Sequence, residues 1–413
     1  MRTVLVSLFF LIALPAWAQR NCGHTDYVEQ QMRLDPSLAG RVQTIEDFLH
    51  QHRFSTNRTE NTGGEEKVLR IPVVVHIVYN KASQNLTDAQ VKSQIDALNR
   101  DFRRLNADTV QTPARFSQLA ADIKLEFALA TADPRGRSTT GIVRKQTHVN
   151  EWRLDDKIKF TSEGGSDAWD TRFYLNIWVG YMRSTLGYAS TPGSDAAKDG
   201  VVISPEVFGT LHVNTPFHLG RTATHEVGHW LGLKHIWGDT YCGDDFVDDT
   251  PQQGSYTTGC PTGFRTSCNN GSQGDMYMNY MDYTHDGCMN LFTQGQKQRM
   301  RTLFEAGGPR HTLLQSKGLY EPWLEEAPIE ILPNAGPEIT AFPNPARSSA
   351  TVTVSSDRVG KQLFVFDAAG TMVQVRTIPA KQFELDLGTL KAGMYFIQAQ
   401  GAGQPARLKL LKL

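Results

Sequence analysis

The residues most committed to chemistry are His225, Glu226, His229 and His235, in the run His225-Glu226-Val227-Gly228-His229-Trp230-Leu231-Gly232-Leu233-Lys234-His235. Positions i and i+4 of a helix share a face, so His225 and His229 can offer both imidazoles to one metal ion. A third histidine has to approach from another direction to build a tetrahedral site. The helix must therefore stop and turn, and Gly232 can take the φ > 0 conformation that ends a helix. Three protein ligands leave a fourth position for water, the arrangement of a catalytic rather than a structural zinc. Glu226, beside the first ligand, can take a proton from that water as it attacks a carbonyl and pass it to a leaving amine. The motif alone does not separate peptide bonds from other amides. Chance produces these five fixed residues in roughly one chain of this length in tens of thousands.

These side chains need elements to hold them. Residues 71–79 are β-branched and apolar and predict a buried strand. Residues 87–105 carry Val91, Ile95, Leu98, Phe102 and Leu105 at helical spacing, with Thr87 as N-cap and Asp88 in the first turn. Further strands are expected over 123–130, 173–182 and 201–203, the motif helix over 222–231, and another helix over 294–305. Between them, residues 238–287 are rich in Gly, Asp, Thr and Cys with weak periodicity, an irregular region that needs staples. Residues 19–66 read as polar and poorly packed, ending in an exposed, protease-sensitive connector at 55–66. Prolines punctuate a linker at 327–337. Short alternating strands after it, separated by turn signals, indicate a small β-sandwich over 338–413.

A chain of 413 residues is too long for one ordinary core, so several domains are expected. A formal net charge of -1 argues against nucleic acid or a membrane surface as partner. Arg2, the apolar run 4–14 and Ala16-Trp17-Ala18 read as a secretory signal peptide over 1–18. Export fits Cys242, Cys260, Cys268 and Cys288, which in an oxidising compartment form a disulfide framework; four cysteines allow three pairings.

The extended motif is the metzincin signature. Met278-Asn279-Tyr280-Met281-Asp282-Tyr283, further on, resembles the Met-turn of the pappalysin family of metzincin zinc metalloproteases. The resemblance runs over 71–305 and includes Val247-Asp248-Asp249-Thr250-Pro251 and 288–296. It implies an α/β metzincin catalytic domain over 67–326: a twisted mixed sheet, an active-site helix and an irregular, disulfide-stapled lower half. It implies a secreted zinc metalloendopeptidase, made as a zymogen with a pro-segment at 19–66, monomeric, acting on protein or peptide substrates. Met281 would floor the metal, and Tyr283 would hydrogen-bond the tetrahedral intermediate. Bacterial members favour the pairings Cys242–Cys268 and Cys260–Cys288, each contributing about 3 kcal/mol in the chain-entropy model. Family members bind structural calcium around the equivalent of Asp245, Asp248, Asp249 and Thr250, whereas the acids alone read rather as a solvated turn. Some relatives prefer Arg or Lys after the scissile bond through an acid near the last cysteine, and Asp286 is the nearest candidate.

Cys22 has no partner among the other cysteines. Bacterial pappalysins have a similar Cys-Gly in a short pro-segment, which makes Cys22-Gly23 a candidate cysteine switch, a thiolate filling the open metal position. An intermolecular disulfide is the alternative. The C-terminal region resembles the sorting domain of type IX secretion, through Phe342-Pro343-Asn344-Pro345, Phe366-Asp367-Ala368-Ala369-Gly370, 387–390, Ala392-Gly393-Met394-Tyr395 and the ending Lys412-Leu413. That implies the outer-membrane secretion machinery of a Gram-negative bacterium as partner and a secreted or surface location. From residues alone, a substrate-binding β-sandwich also fits. The competing function is an inactive zinc-bearing adhesin, which would have no use for Glu226.

Overall fold

The computed structural model describes residues 21–52, 66–213, 215–322, 339–368, 371–401 and 405–413; the expected signal peptide, the connector before Glu66 and the proline-rich linker lie outside the described residues. The chain divides into two units, Met1–Glu325 and Glu326–Leu413.

In the first unit the apolar run becomes strand β1, Leu69–Tyr79, whose interior is buried throughout. A strand covered on both faces has no polar alternation to show. β1 pairs in parallel with β2 (Leu125–Leu129) along its first half and with β3 (Ile142–Gln146) along its second. On its other side lies β4 (Leu175–Val179), also parallel. Strand β5 (Gly187–Ala189) forms the edge, antiparallel to β6 (Val201–Ile203), which runs parallel to β4. β3 and β5 went unseen in the sequence. β3 is half exposed and carries Arg144-Lys145-Gln146, and β5 is only three residues long.

Helices α1 (His24–Leu34) and α2 (Ser37–His52) correct the reading of 19–66 as poorly packed. They bury Tyr27 and Gln31, and Leu38 and Leu49, respectively. Each needs only a narrow apolar stripe because it lies against a large body, so its overall composition stays polar. Helix α3 (Asp88–Phe102) starts at Thr87, whose hydroxyl accepts from the Gln90 amide at 3.2 Å. The one-turn α4 is Ala114–Ser117, α5 is Arg221–Trp230, and α6 (Gln294–Thr302) opens with a capping box of Thr293 and Gln296.

The main core joins one sheet face to α3 and α5 through Val75, Ile177, Phe102, Val227 and Met281. The other face carries a second cluster, with Trp178, Tyr188 and Val202 packed against Tyr27 of α1. The irregular lower region holds two disulfides, Cys242–Cys268 and Cys260–Cys288, spanning 26 and 28 residues of sequence.

The second unit contains a four-stranded sheet, β10-β9-β12-β13, and a three-stranded sheet, β11-β8-β7. Its strands are β7 (Ile339–Phe342), β8 (Ser349–Val354), β9 (Gln362–Asp367), β10 (Met372–Thr377), β11 (Gln382–Asp386), β12 (Gly393–Ala399) and β13 (Ala406–Lys412). All pairings are antiparallel and share one core that includes Val352, Val365, Leu385 and Ile397. β7 was hidden from the sequence reading by the prolines that flank it.

Phe102 is fully buried where α3, β2 and the start of α6 meet, with its ring 5.0 Å from both Phe127 and Phe292. Phe102→Ala should destabilise the first unit by about 3–5 kcal/mol. Urea unfolding followed by tryptophan fluorescence checks this as a lowered midpoint.

Candidate active site

Helix α5 carries His225, Glu226 and His229, all buried. It ends at Gly232, whose φ is +78°, a region closed to most side chains. The Leu233 amide then returns to the Gly228 carbonyl at 3.0 Å. This turn swings the chain back so that His235 faces the helix. The Nε2 of His229 lies 3.1 Å from the Nε2 of both His225 and His235.

The Nδ1 atoms reveal what these nitrogens carry. His225 Nδ1 donates to the Tyr280 carbonyl at 2.7 Å, and His229 Nδ1 to the Leu233 carbonyl at 2.8 Å. His235 Nδ1 donates to the Asp239 carboxylate. Burial and the neighbouring rings push His229 well below the usual histidine range, so it is neutral. With the proton on Nδ1, each Nε2 presents a lone pair. Lone pairs converging in a dry site repel unless a cation sits among them. Tetrahedral nitrogens about 2.0–2.1 Å from zinc stand about 3.3 Å apart, close to the spacing here. The donor set fits that ion.

The fourth donor comes from the N-terminal segment. Cys22 is buried, and its Sγ clusters with the three histidine nitrogens, all within 4.8 Å of one another. Burial and the Glu226 carboxylate push the thiol pKa up, so a thiolate there needs a cation beside it. Cys22 is held by its backbone. The Gly23 amide donates to the Gly187 carbonyl, and the Leu186 amide to the Asn21 carbonyl, both at 2.9 Å. Tyr283 donates its hydroxyl to the Cys22 carbonyl at 3.4 Å, and its ring stands edge-on to His235 at 5.0 Å. Met281 is fully buried beneath α5; a Cβ at Gly228 would lie 2.5 Å from its Sδ.

The sequence pattern of the peptidase family described as pregnancy-associated plasma protein-A matches residues 160–305, and that of the secretion system C-terminal sorting domain matches 340–412. An extracellular metalloprotease of Verticillium alfalfae is 34% identical over 57% of this chain and 76% of its own length. Mature mirolysin of Tannerella forsythia, solved with a cleaved peptide, is 49% identical over 60% of this chain and 97% of its own, with a TM-score of 0.59. A promirolysin mutant from the same organism is 45% identical over 72% of this chain and 97% of its own, with a TM-score of 0.65. The chain belongs to the pappalysin family of metalloproteases. It is a metalloendopeptidase, secreted or held at the cell surface, with a type IX sorting domain at its C-terminus.

Other residues of this pappalysin fall as follows. Asp245 is buried; Thr250 donates to both its oxygens at 2.9 and 2.8 Å, and burial lifts its pKa to about 7. Asp248 is exposed, and Asp249 accepts from the Gly295 amide at 2.9 Å. Asp286 is fully buried, and its Oδ2 accepts from the amides of Leu219 and Arg221 at 2.8 and 3.2 Å, which anchors the start of α5. Among the described residues, the one grouping of His, Cys, Asp and Glu side chains suited to a metal is that of Cys22 and the three histidines.

Three participants escaped the sequence reading. Asp239 orients His235 and also accepts from Thr25 of α1 at 2.8 Å; an acid four residues after the third ligand was the available signal. His24 stacks on His229 with ring centres 3.9 Å apart, and burial lowers its pKa to about 4, so the stacked ring is neutral. Gly187 gave no signal. A Cβ there would lie 2.9 Å from Glu226 Cγ. Gly187→Ala should displace Glu226 and lower kcat by at least ~10-fold, since a misplacement of about 1 Å can cost up to about 100-fold. Steady-state kinetics on a denatured protein substrate, beside an unchanged circular dichroism spectrum, checks it.

Proposed function

We propose that this metalloendopeptidase is zinc-dependent and made as a zymogen, with His225, His229 and His235 as ligands, Glu226 as general base and Cys22 as the latency residue. The observation that carries the reading is the convergence of three Nε2 atoms and one buried Sγ beside Glu226. Zinc, when bound, supplies Lewis-acid chemistry, polarising a carbonyl and making water more acidic.

The protein's own groups do the rest. Cys22 blocks the position that substrate and water need. Once it has left, the edge of β5 can align an extended peptide through the Gly187 and Ala189 carbonyls, which now accept from Gly23 and His24. Glu226 accepts the proton of the attacking water and delivers it to the leaving amine. Tyr283, freed of the Cys22 carbonyl, donates to the oxygen on which negative charge develops. Asp239 keeps His235 oriented. Met281 supports α5 from below.

The zymogen reading is supported by the promirolysin likeness, which spans 72% of the chain against 60% for the mature form. Cleavage in the polar stretch 55–66 would release α1 and α2. We further propose calcium on the Asp245–Thr250 turn, where carboxylate and hydroxyl oxygens supply the hard donors that ion takes. The enzyme works as a monomer, and the sorting domain takes it to the outer-membrane machinery.

1,10-Phenanthroline should abolish cleavage of a denatured protein, and added zinc should restore it. Glu226→Gln should keep its zinc, measured by mass spectrometry, yet lose at least ~100-fold in kcat. Full activity in either case ends the mechanism.

Cys22→Ala should give a precursor that cleaves substrate or itself from the start. A variant as latent as the parent, maturing no faster on a gel time course, removes Cys22 as the switch.

A further inference from the structure

Behind the edge strand lies a buried polar group that the hydrolytic steps do not use. Lys159 is fully buried, and its Nζ lies 2.8 Å from Asp156 Oδ1 and donates to the Lys198 carbonyl at 2.7 Å. Three aromatic rings surround the ammonium, those of Tyr188, Tyr27 and Trp178, at 4.9, 5.1 and 5.4 Å. Two of the three belong to the sheet. The third, Tyr27, belongs to the N-terminal segment. It packs on the Tyr188 ring at 4.8 Å and donates its hydroxyl to Asp156 Oδ2 at 3.1 Å.

Loss of α1 would leave this pocket without one wall and Asp156 without one donor. The rest has independent support. Lys159 keeps its carbonyl and its carboxylate. Tyr188 still donates to Asp156 Oδ1 at 3.4 Å. Trp178, inside β4, is fixed by its indole bond to the Ser166 carbonyl at 2.7 Å. A pocket held this way stays open for a side chain of the same chemistry as the one that left. Its wall Tyr188 sits between Gly187 and Ala189, the two residues that hold the Cys22 segment.

We propose that departure of the N-terminal segment uncovers a subsite for a tyrosine side chain of the substrate, formed by Tyr188, Trp178, Asp156 and Lys159. It rests on the zymogen reading above. The phenol donates to Asp156, and the ring lies against Tyr188 and over the ammonium, as Tyr27 does now. Phenylalanine fits the rings but gives Asp156 Oδ2 no hydrogen bond, leaving it only the Lys198 ammonium at 3.9 Å. Lysine or arginine meets Lys159, and an acid meets Asp156. From Cys22 to Tyr27 the chain makes two non-helical steps to His24 and then most of the first turn of α1, at most about 11 Å in all. An extended peptide, rising about 3.3 Å per residue, covers it in two or three residues from the scissile bond.

The test uses the full chain after cleavage in the 55–66 connector, with loss of α1 and α2 verified by N-terminal sequencing. Peptides identical except for Tyr, Phe or Ala at each position flanking the scissile bond are compared by kcat/KM. The expected result is one position, two or three residues from the bond, at which Tyr exceeds Ala by about 10-fold and Phe by about 3-fold. Asp156→Asn should bring Tyr and Phe together there. If that variant does not fold, the Tyr–Phe comparison on the unaltered enzyme still decides. Cleavage of all peptides with Tyr and Phe equal at every position overturns the subsite and leaves the protease reading standing. Failure of the processed, zinc-loaded enzyme to cut any peptide overturns the protease reading instead.

Discussion

Three imidazole nitrogens with their lone pairs turned inward, about as close as tetrahedral ligands of one ion, form a constraint that the rest of the first unit serves. Each ring is fixed by the hydrogen bond at its far nitrogen. Those acceptors come from three separate places: the turn after α5, the Tyr280 carbonyl and Asp239. A site assembled this way is preorganised for a cation and strained without one. It also explains why α5 must end at Gly232, since a further helical turn would carry His235 away and remove the Leu233 carbonyl from His229.

The support extends into a buried polar network. Asp101 of α3 accepts from Thr224 of α5 at 2.8 Å and from the Tyr280 hydroxyl at 2.9 Å, and Arg221 reaches both Asp101 and Asp108. Burial raises the Asp101 carboxyl, while Arg221 and the two hydroxyls hold it down. Buried charge of this kind is costly unless fully paired, and here it ties helix, sheet-covering layer and Met-turn into one frame. In the lower region the buried Asp282 accepts from Gln253 and from the Thr257 amide, and two disulfides add to these ties in limiting its freedom.

The proposed latency would use the same geometry from the opposite side. Cys22 converges with the three histidines, Tyr283 is engaged by the Cys22 carbonyl, and Thr25 shares the carboxylate that orients His235. Backbone pairing of Asn21 with the Leu186 amide and of Gly23 with the Gly187 carbonyl, at the start of β5, uses groups that an extended peptide would need. Inhibition as proposed would be competitive in the physical sense, since one short segment meets the histidine cluster, the strand edge and the Tyr283 hydroxyl together.

The sequence by itself determined what depends on local spacing and residue type. The ligand motif, the stop at Gly232, the helix from Thr87 to Phe102, the central strand and the mixed α/β class followed from periodicity and backbone chemistry that neighbouring residues fix. The resemblance added the Met-turn and the sorting domain. Tertiary structure decided whatever depends on residues distant in the chain. Gly187 matters only because Glu226 passes 39 positions later in sequence yet against it in space. Asp286 anchors a helix start 65 residues upstream. Helices α1 and α2 carry too little apolar surface to announce themselves, and they become packed elements only against a body that supplies the rest of the burial. Tyr27, an ordinary residue in a polar segment, gains its meaning from a buried lysine and aspartate contributed by another part of the chain. Local patterns fix backbone and chemistry, and burial is a property of the whole fold.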